Sequence, residues 1–111
     1  MARRHWQRPG EDLLEKEIVA QCMEVVEKMG AFMELAGQYR ADGSGSSVGF
    51  PDGFLYCAGK CLPVEFKTRT GRLSPKQIEA QHKRLDQGVH TWVIRDRMQL
   101  VDLINWCRRT A

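Results

Sequence analysis

Two carboxylates and a lysine fall within one short stretch of this chain. In GFPDGFLYCAGKCLPVEFK (residues 49–67), Asp52 follows a proline, and Glu65 and Lys67 come thirteen and fifteen residues later. Residues two apart on a strand point to the same side. Glu65 and Lys67 therefore share one face, and Val64 and Phe66 the other. A hairpin closed at Ala58-Gly59-Lys60 would bring Asp52, at the start of the first strand, towards the end of the Glu65 strand. Two adjacent carboxylates repel unless a proton or a cation lies between them. Hard divalent cations take oxygen ligands, often one or two carboxylates with waters and substrate phosphate. A lysine beside them orients an attacking water or neutralises charge at a phosphoryl centre. These residue types in this spacing suit metal-dependent phosphodiester hydrolysis. An isolated Glu-x-Lys triplet is ordinarily a solvated strand pair, so its surroundings decide.

The elements that must position these groups are legible on either side. Residues 11–30 predict an amphipathic helix, with Leu14, Ile18, Cys22, Val25 and Met29 on its apolar stripe and Glu17, Gln21, Glu24 and Lys28 on its polar face. Gly30 stops it, and residues 31–36 predict a short strand. Residues 41–49, ADGSGSSVG, form a Gly/Ser-rich loop with nothing to bury, expected to be a mobile flap. Residues 52–57 and 61–67 predict the hairpin, with Pro63 best placed where its missing N–H faces no partner. Ser74-Pro75-Lys76-Gln77 reads as a helix start: Ser74 as N-cap, Pro75 as first helical residue and Gln77 completing a capping box. That helix carries Ile78, Gln81, His82 and Leu85 on one stripe and ends near Gly88. Residues 89–94, VHTWVI, predict a strand. Asp96 caps a final helix with Leu100, Val101, Leu103, Ile104 and Cys107 on its apolar face. The order α(β)ββαβα predicts an α/β fold: a mixed sheet flanked by helices, with the 65–67 and 89–94 strands parallel.

The length of 111 residues allows one compact domain, taken as residues 11–109 after a basic tail at 1–10. Net charge is +3, a mild bias compatible with a polyanionic partner. Its distribution says more. MARRHWQRPG (1–10) and KTRTGRLSPK (67–76) hold basic residues and no acids, while acids gather in residues 11–34. No run is long enough for a membrane span and the N-terminus is charged and polar, so a cytoplasmic protein with reduced cysteines is expected. Cys57 and Cys61 have a CxxxC spacing, but with no second close pair a small-thiol role is favoured over structural zinc. Trp92 and Trp106 are read as core or interface anchors, and Trp6 has polar surroundings. His82 is expected to pack on or cap its helix face, and neither it nor His90 is needed for metal-assisted hydrolysis.

In this setting the sequence resembles a family. Pro51-Asp52 followed by Glu65-Phe66-Lys67 matches the PD-(D/E)xK nuclease signature. GFPDG (49–53), VEFKTRTGRLSPKQ (64–77) and the downstream VHTWVIRDRMQLVDLI resemble its VRR-NUC branch, particularly the small stand-alone phage and bacterial members. The resemblance spans about residues 11–105, and GRLSPxQ is its most specific part. It implies a restriction-endonuclease-like fold, dependence on Mg2+ or Mn2+, and cleavage of structured DNA. Stand-alone members resemble Holliday-junction resolvases and act as homodimers, which places this chain in a bacterial or phage-infected cytoplasm. Carried over, Asp52 and Glu65 bind metal, Lys67 positions the water, and Gln77 lines the site. The family's helix-1 glutamate falls on Glu15, with Glu11 as competitor. The Asn-rich segment often seen before the signature has no clear counterpart here.

Arg69, Arg72 and Lys76 then read as phosphate contacts, which set affinity and register without reading sequence. Arg3 and Arg4, with Arg8, form either an arm along the phosphate backbone or a plain tail. The competing readings are a DNA-binding module of a replication or repair complex with this fold but little catalysis, a flap or duplex nuclease, and, ranked lower, a sequence-specific restriction enzyme.

Overall fold

The computed structural model describes residues 13–36 and 49–111. The elements are α1 (Glu15–Lys28), β1 (Phe32–Leu35), β2 (Gly53–Cys57), β3 (Lys60–Phe66), α2 (Pro75–Asp86), β4 (Trp92–Ile94) and α3 (Arg97–Arg109). They occur in the order expected. The strands form one mixed sheet in the order β1-β2-β3-β4, antiparallel except for the parallel pair β3–β4.

Two helices end in the same device, and it sets where the following strands begin. At the end of α1, Gly30 has φ 72°, its N–H reaches the Glu27 carbonyl, and the Ala31 N–H reaches Val26. At the end of α2, Gly88 has φ 84°, its N–H reaches Leu85, and the Val89 N–H reaches Arg84. Both are Schellman closures, in which a left-handed glycine lets two backbone donors satisfy the last helical carbonyls. The second closure corrects the strand expected at 89–94. Val89 is tied back to α2, and pairing starts only at Trp92, opposite Val64. The first helix is also shorter than expected: Leu13 and Leu14 precede it, and the Glu17 side chain accepts from the Leu14 N–H at 3.0 Å. Leu14 is exposed, and Gln21, assigned to the polar face, is buried.

The β2–β3 turn is tighter than expected. Ala58 and Gly59 alone make it, both with positive φ (52° and 79°), and Lys60 already pairs with Cys57. Positive φ at both central residues is the primed turn whose twist suits a hairpin. Pro63 pairs with Phe54 on the β2 side, and the β4 ladder begins one residue later at Val64. Its missing N–H therefore interrupts no bond to β4.

Register divides the sheet into two faces. Met33, Leu55, Cys57, Val64, Phe66 and Ile94 join Ile18, Val19, Cys22 and Val26 of α1 and Leu100, Leu103, Ile104 and Cys107 of α3 in one core. Phe66 is fully buried there, worth about 1.5–3 kcal/mol relative to exposure. The opposite face carries Phe32, stacked on Tyr56 at 5.6 Å, and Phe54, met edge-on by Phe50 at 5.9 Å. Helix α2 stands over this second face and buries none of its residues. The stripe expected to pack is open: Ile78 is 42% exposed and Leu85 55%. His82, expected to pack on or cap the helix face, is exposed. Trp92 and Trp106 contact each other at 5.1 Å between ring centroids, with His90 edge-on to Trp92 at 4.6 Å. Cys57 points into the core while Cys61 lies exposed on the other face, so strand alternation separates the CxxxC pair.

Candidate active site

The hairpin register carries Asp52 to the Glu65 strand. Gly53 pairs with Val64, so one step further Asp52 lies opposite Glu65. The Asp52 carboxylate takes up this position by accepting from the backbone N–H of Phe66, Oδ2 at 2.8 Å. The Asp52 carbonyl accepts from the Ala36 N–H at 2.7 Å, extending the β1–β2 ladder. Asp52 is thus fixed on both sides, and only 4% of it is exposed.

Glu65 is more deeply buried, at 2%. It lies on the sheet face opposite the apolar core, under the first turn of α2. The capping box there does two things. Ser74 Oγ accepts from the Gln77 N–H at 3.1 Å, and Gln77 Oε1 accepts from the Ser74 N–H at 2.8 Å. With its oxygen held in the cap, the Gln77 side-chain amide is aimed at the sheet, and Nε2 donates to Glu65 Oε2 at 3.0 Å. The other oxygen, Oε1, is buried with no hydrogen-bond partner.

The electrostatics follow from this placement. The Glu65 carboxyl is pushed up to about 8: burial is the main cause, the close approach and charge of the Asp52 carboxyl add to it, Lys67 pulls the other way, and Glu15 adds a smaller upward push. A carboxyl this costly to ionise, with one oxygen unpartnered and a second carboxyl beside it, has the character of half of a cation site. Among the described residues no group of three or more His, Cys, Asp or Glu side chains converges. Two carboxylates suit a hard divalent cation that keeps waters and takes its other oxygens from substrate.

Glu15 is the first residue of α1, within electrostatic reach of Glu65. Its competitor Glu11 lies outside the described residues, as do Arg3, Arg4 and Arg8 of the tail and residues 41–48 of the Gly/Ser loop. Lys67 follows β3 directly, and its N–H donates to the Ile94 carbonyl at 3.1 Å. Arg69 and Arg72 are exposed on the loop between β3 and α2, and Lys76 is exposed in the first turn of α2.

Among solved structures the chain is similar to one described as a "VRR_NUC domain", with a TM-score of 0.63 and 20% identity, over 82% of this chain and 94% of that one. The chain has the VRR_NUC fold. This is a restriction-endonuclease-like α/β architecture, as expected. No protein-family model and no curated protein matches the sequence. Among the described residues no helix is long and apolar enough to cross a membrane.

Two arginines that no motif singled out organise this VRR_NUC fold around the site. Arg84 of α2 donates from Nε to Thr91 Oγ1 at 2.7 Å and from Nη1 to the Gly49 carbonyl at 3.2 Å. Gly49 is buried, has φ 89°, and lies so close to α2 that a Cβ would stand 2.9 Å from that of Ala80 and 3.0 Å from the Lys76 carbonyl. Arg84 and this close approach fix the chain three residues before Asp52. Arg95, just after β4, donates to carbonyls of the loop that follows Lys67. Such bonds join residues far apart in sequence and leave no local pattern.

Proposed function

We propose that this chain is a metal-dependent, structure-specific DNA endonuclease of the VRR-NUC branch of the PD-(D/E)xK nucleases, acting on Holliday (four-way) junctions as a homodimer. The observation that carries this reading is the Glu65 carboxyl: buried, held by Gln77 at one oxygen, unpartnered at the other, and opposite Asp52. Asp52 and Glu65 would hold a divalent cation such as Mg2+ or Mn2+, with Glu15 adding negative charge at longer range from the start of α1. Such a cation, when bound, polarises the scissile phosphate and stabilises the leaving oxygen.

The chain's own groups do the rest. Lys67, two residues beyond Glu65 and within electrostatic reach of it, would orient the attacking water and offset charge on the phosphoryl oxygens. Gln77 keeps Glu65 turned towards the site. Arg69, Arg72 and Lys76 border it with positive charge, suited to phosphates on either side of the scissile bond. A four-way junction has two-fold symmetry, and a C2 dimer presents two sites to opposing strands. The open aromatic face of β1 and β2 offers apolar area apart from the site.

The test is cleavage of labelled four-way junctions, flaps, splayed arms and linear duplex with Mg2+ or Mn2+. Asp52→Asn and Lys67→Ala are expected to abolish cutting while junction binding persists. Undiminished cutting by both variants removes the site assignment. Equal cutting of flaps or linear duplex removes junction preference and keeps the nuclease. Junction binding by the wild type with no cutting under either metal favours the DNA-binding module. Light scattering with and without DNA tests the dimer separately.

A further inference from the structure

The loop between Lys67 and Ser74 joins both sides of the site. Arg69, Thr70 and Arg72 are exposed. Its first part is a four-residue turn closed by one bond, from the Gly71 N–H to the Thr68 carbonyl at 3.2 Å. A single bond of this kind contributes about 1 kcal/mol, no more than the cost of ordering one residue of the turn.

Arg95 adds two stronger bonds to the same turn. Its Nη1 donates to the Thr68 and Gly71 carbonyls, both at 2.7 Å, and lies 3.4 Å from that of Arg69. Hydrogen bonds from an ionised donor are roughly twice as strong as neutral ones. The anchor itself is rigid. Arg95 follows β4, its own N–H donates to Gln99 Oε1 at 2.6 Å, and Asp96 caps α3 through the Gln99 N–H at 2.8 Å. A cation beside a candidate DNA site is thus committed to main-chain carbonyls, while Arg69 in the turn it holds and Arg72 just after that turn are exposed.

We propose that Arg95 is a positioning residue, whose guanidinium holds the Thr68–Gly71 turn so that Arg69 and Arg72 meet the phosphates beside the scissile bond while Arg95 itself touches no DNA. This rests on the nuclease reading above. The consequence is energetic coupling: Arg69 and Arg72 contribute to binding only while Arg95 is in place.

The experiment is a salt titration of binding to a fluorescein-labelled DNA four-way junction without divalent metal. It compares the wild type, Arg95→Gln, Arg69→Ala/Arg72→Ala and the triple variant. Each phosphate contact contributes about 0.9 to the slope of log affinity against log salt. Arg95→Gln and the Arg69→Ala/Arg72→Ala pair are each expected to lower the slope by about 1.8, and the triple variant by no more than either. In cleavage assays Arg95→Gln raises KM and leaves kcat nearly unchanged. Arg95→Lys, with three donors on one nitrogen, restores part of the slope. Should Arg95→Gln fold poorly, Gly71→Val attacks the same turn with Arg95 intact, since a Cβ there stands 2.8 Å from Thr68 Oγ1. It is expected to give the same slope loss.

A wild-type slope in Arg95→Gln, or full additivity in the triple variant, overturns the inference while the nuclease reading stands. A wild-type chain that binds no junction at any salt concentration overturns the junction reading and this inference together.

Discussion

The side-chain amide of Gln77 donates to Oε2 of Glu65 at 3.0 Å, while the same amide's oxygen closes the capping box of α2 on the Ser74 N–H. One side chain therefore serves helix and site together, and substitutions separate the two duties. Gln77→Glu keeps an acceptor for Ser74 but sets a carboxylate against Glu65. Gln77→Ala removes both. We expect Gln77→Glu to retain α2 and lose about 10- to 100-fold in metal affinity or activity, the usual effect of disturbing a ligand's hydrogen-bond partner. Gln77→Ala should also lose about 1 kcal/mol of stability with the hydrogen bond from the Ser74 N–H. Calorimetric metal titration and thermal unfolding of both variants check this.

Glu65 makes stability depend on pH in a defined direction. Its folded-state value, about 8, lies above the ordinary 4.5. Between those values the folded chain binds more protons than the unfolded one, so stability falls as pH rises through the window. The melting temperature of the metal-free protein should therefore drop from the acidic to the alkaline end of that range. Glu65→Gln should flatten this dependence. Apparent affinity for Mg2+ should climb with pH over the same window, because the cation competes with a proton. A melting temperature that rises towards about 8 would contradict the burial of Glu65 as the dominant cause.

Asp52 has a structural duty that an amide can perform. Its Oδ2 accepts from the Phe66 N–H, and an asparagine oxygen accepts equally. Asp52→Asn is expected to melt close to the wild type. Asp52→Ala leaves a buried donor unsatisfied and should lose about 1–3 kcal/mol. Comparing the two melting curves distinguishes loss of charge from loss of the bond.

Gly49 tolerates no side chain. Its φ of 89° and the 2.9 Å approach to Ala80 both oppose a Cβ. Gly49→Ala should lose about 2 kcal/mol or more, which lowers the melting temperature by roughly 4–8 °C per kcal/mol in a domain near this size. Because Gly49 precedes Asp52 by three residues, activity should fall further than stability alone explains. Denaturant unfolding and cleavage assays on one preparation give the comparison.

Local signals in the sequence were strong enough to read element order, the Ser74 cap and the meeting of Asp52 with Glu65. Strand alternation, a proline at the first helical position and glycine stops each act over a few residues, so they survive folding unchanged. The misread parts depended on backbone closures or on partners elsewhere in the chain. Residues 89–94 have the composition of a strand, but the Schellman closure at Gly88 claims Val89 first. Periodicity marked Ile78 and Leu85 as an apolar stripe without saying whether anything covers it. Arg84 and Arg95 act on backbone carbonyls of other segments, and a carbonyl has no side-chain identity to recognise.

Helix α2 carries Gln77 yet buries none of its residues, whereas α1 and α3 are built into the core. Its tethers are polar: Gln77 to Glu65 at one end, Arg84 to Thr91 and Gly49 towards the other. Segments with few buried apolar contacts open at free energies well below global unfolding. The amide hydrogens of α2 should therefore exchange with solvent deuterium ahead of those of α1 and α3. Occupancy of the site, felt through Glu65, should slow that exchange first at the Gln77 end, making α2 a built-in reporter of whether the site is loaded.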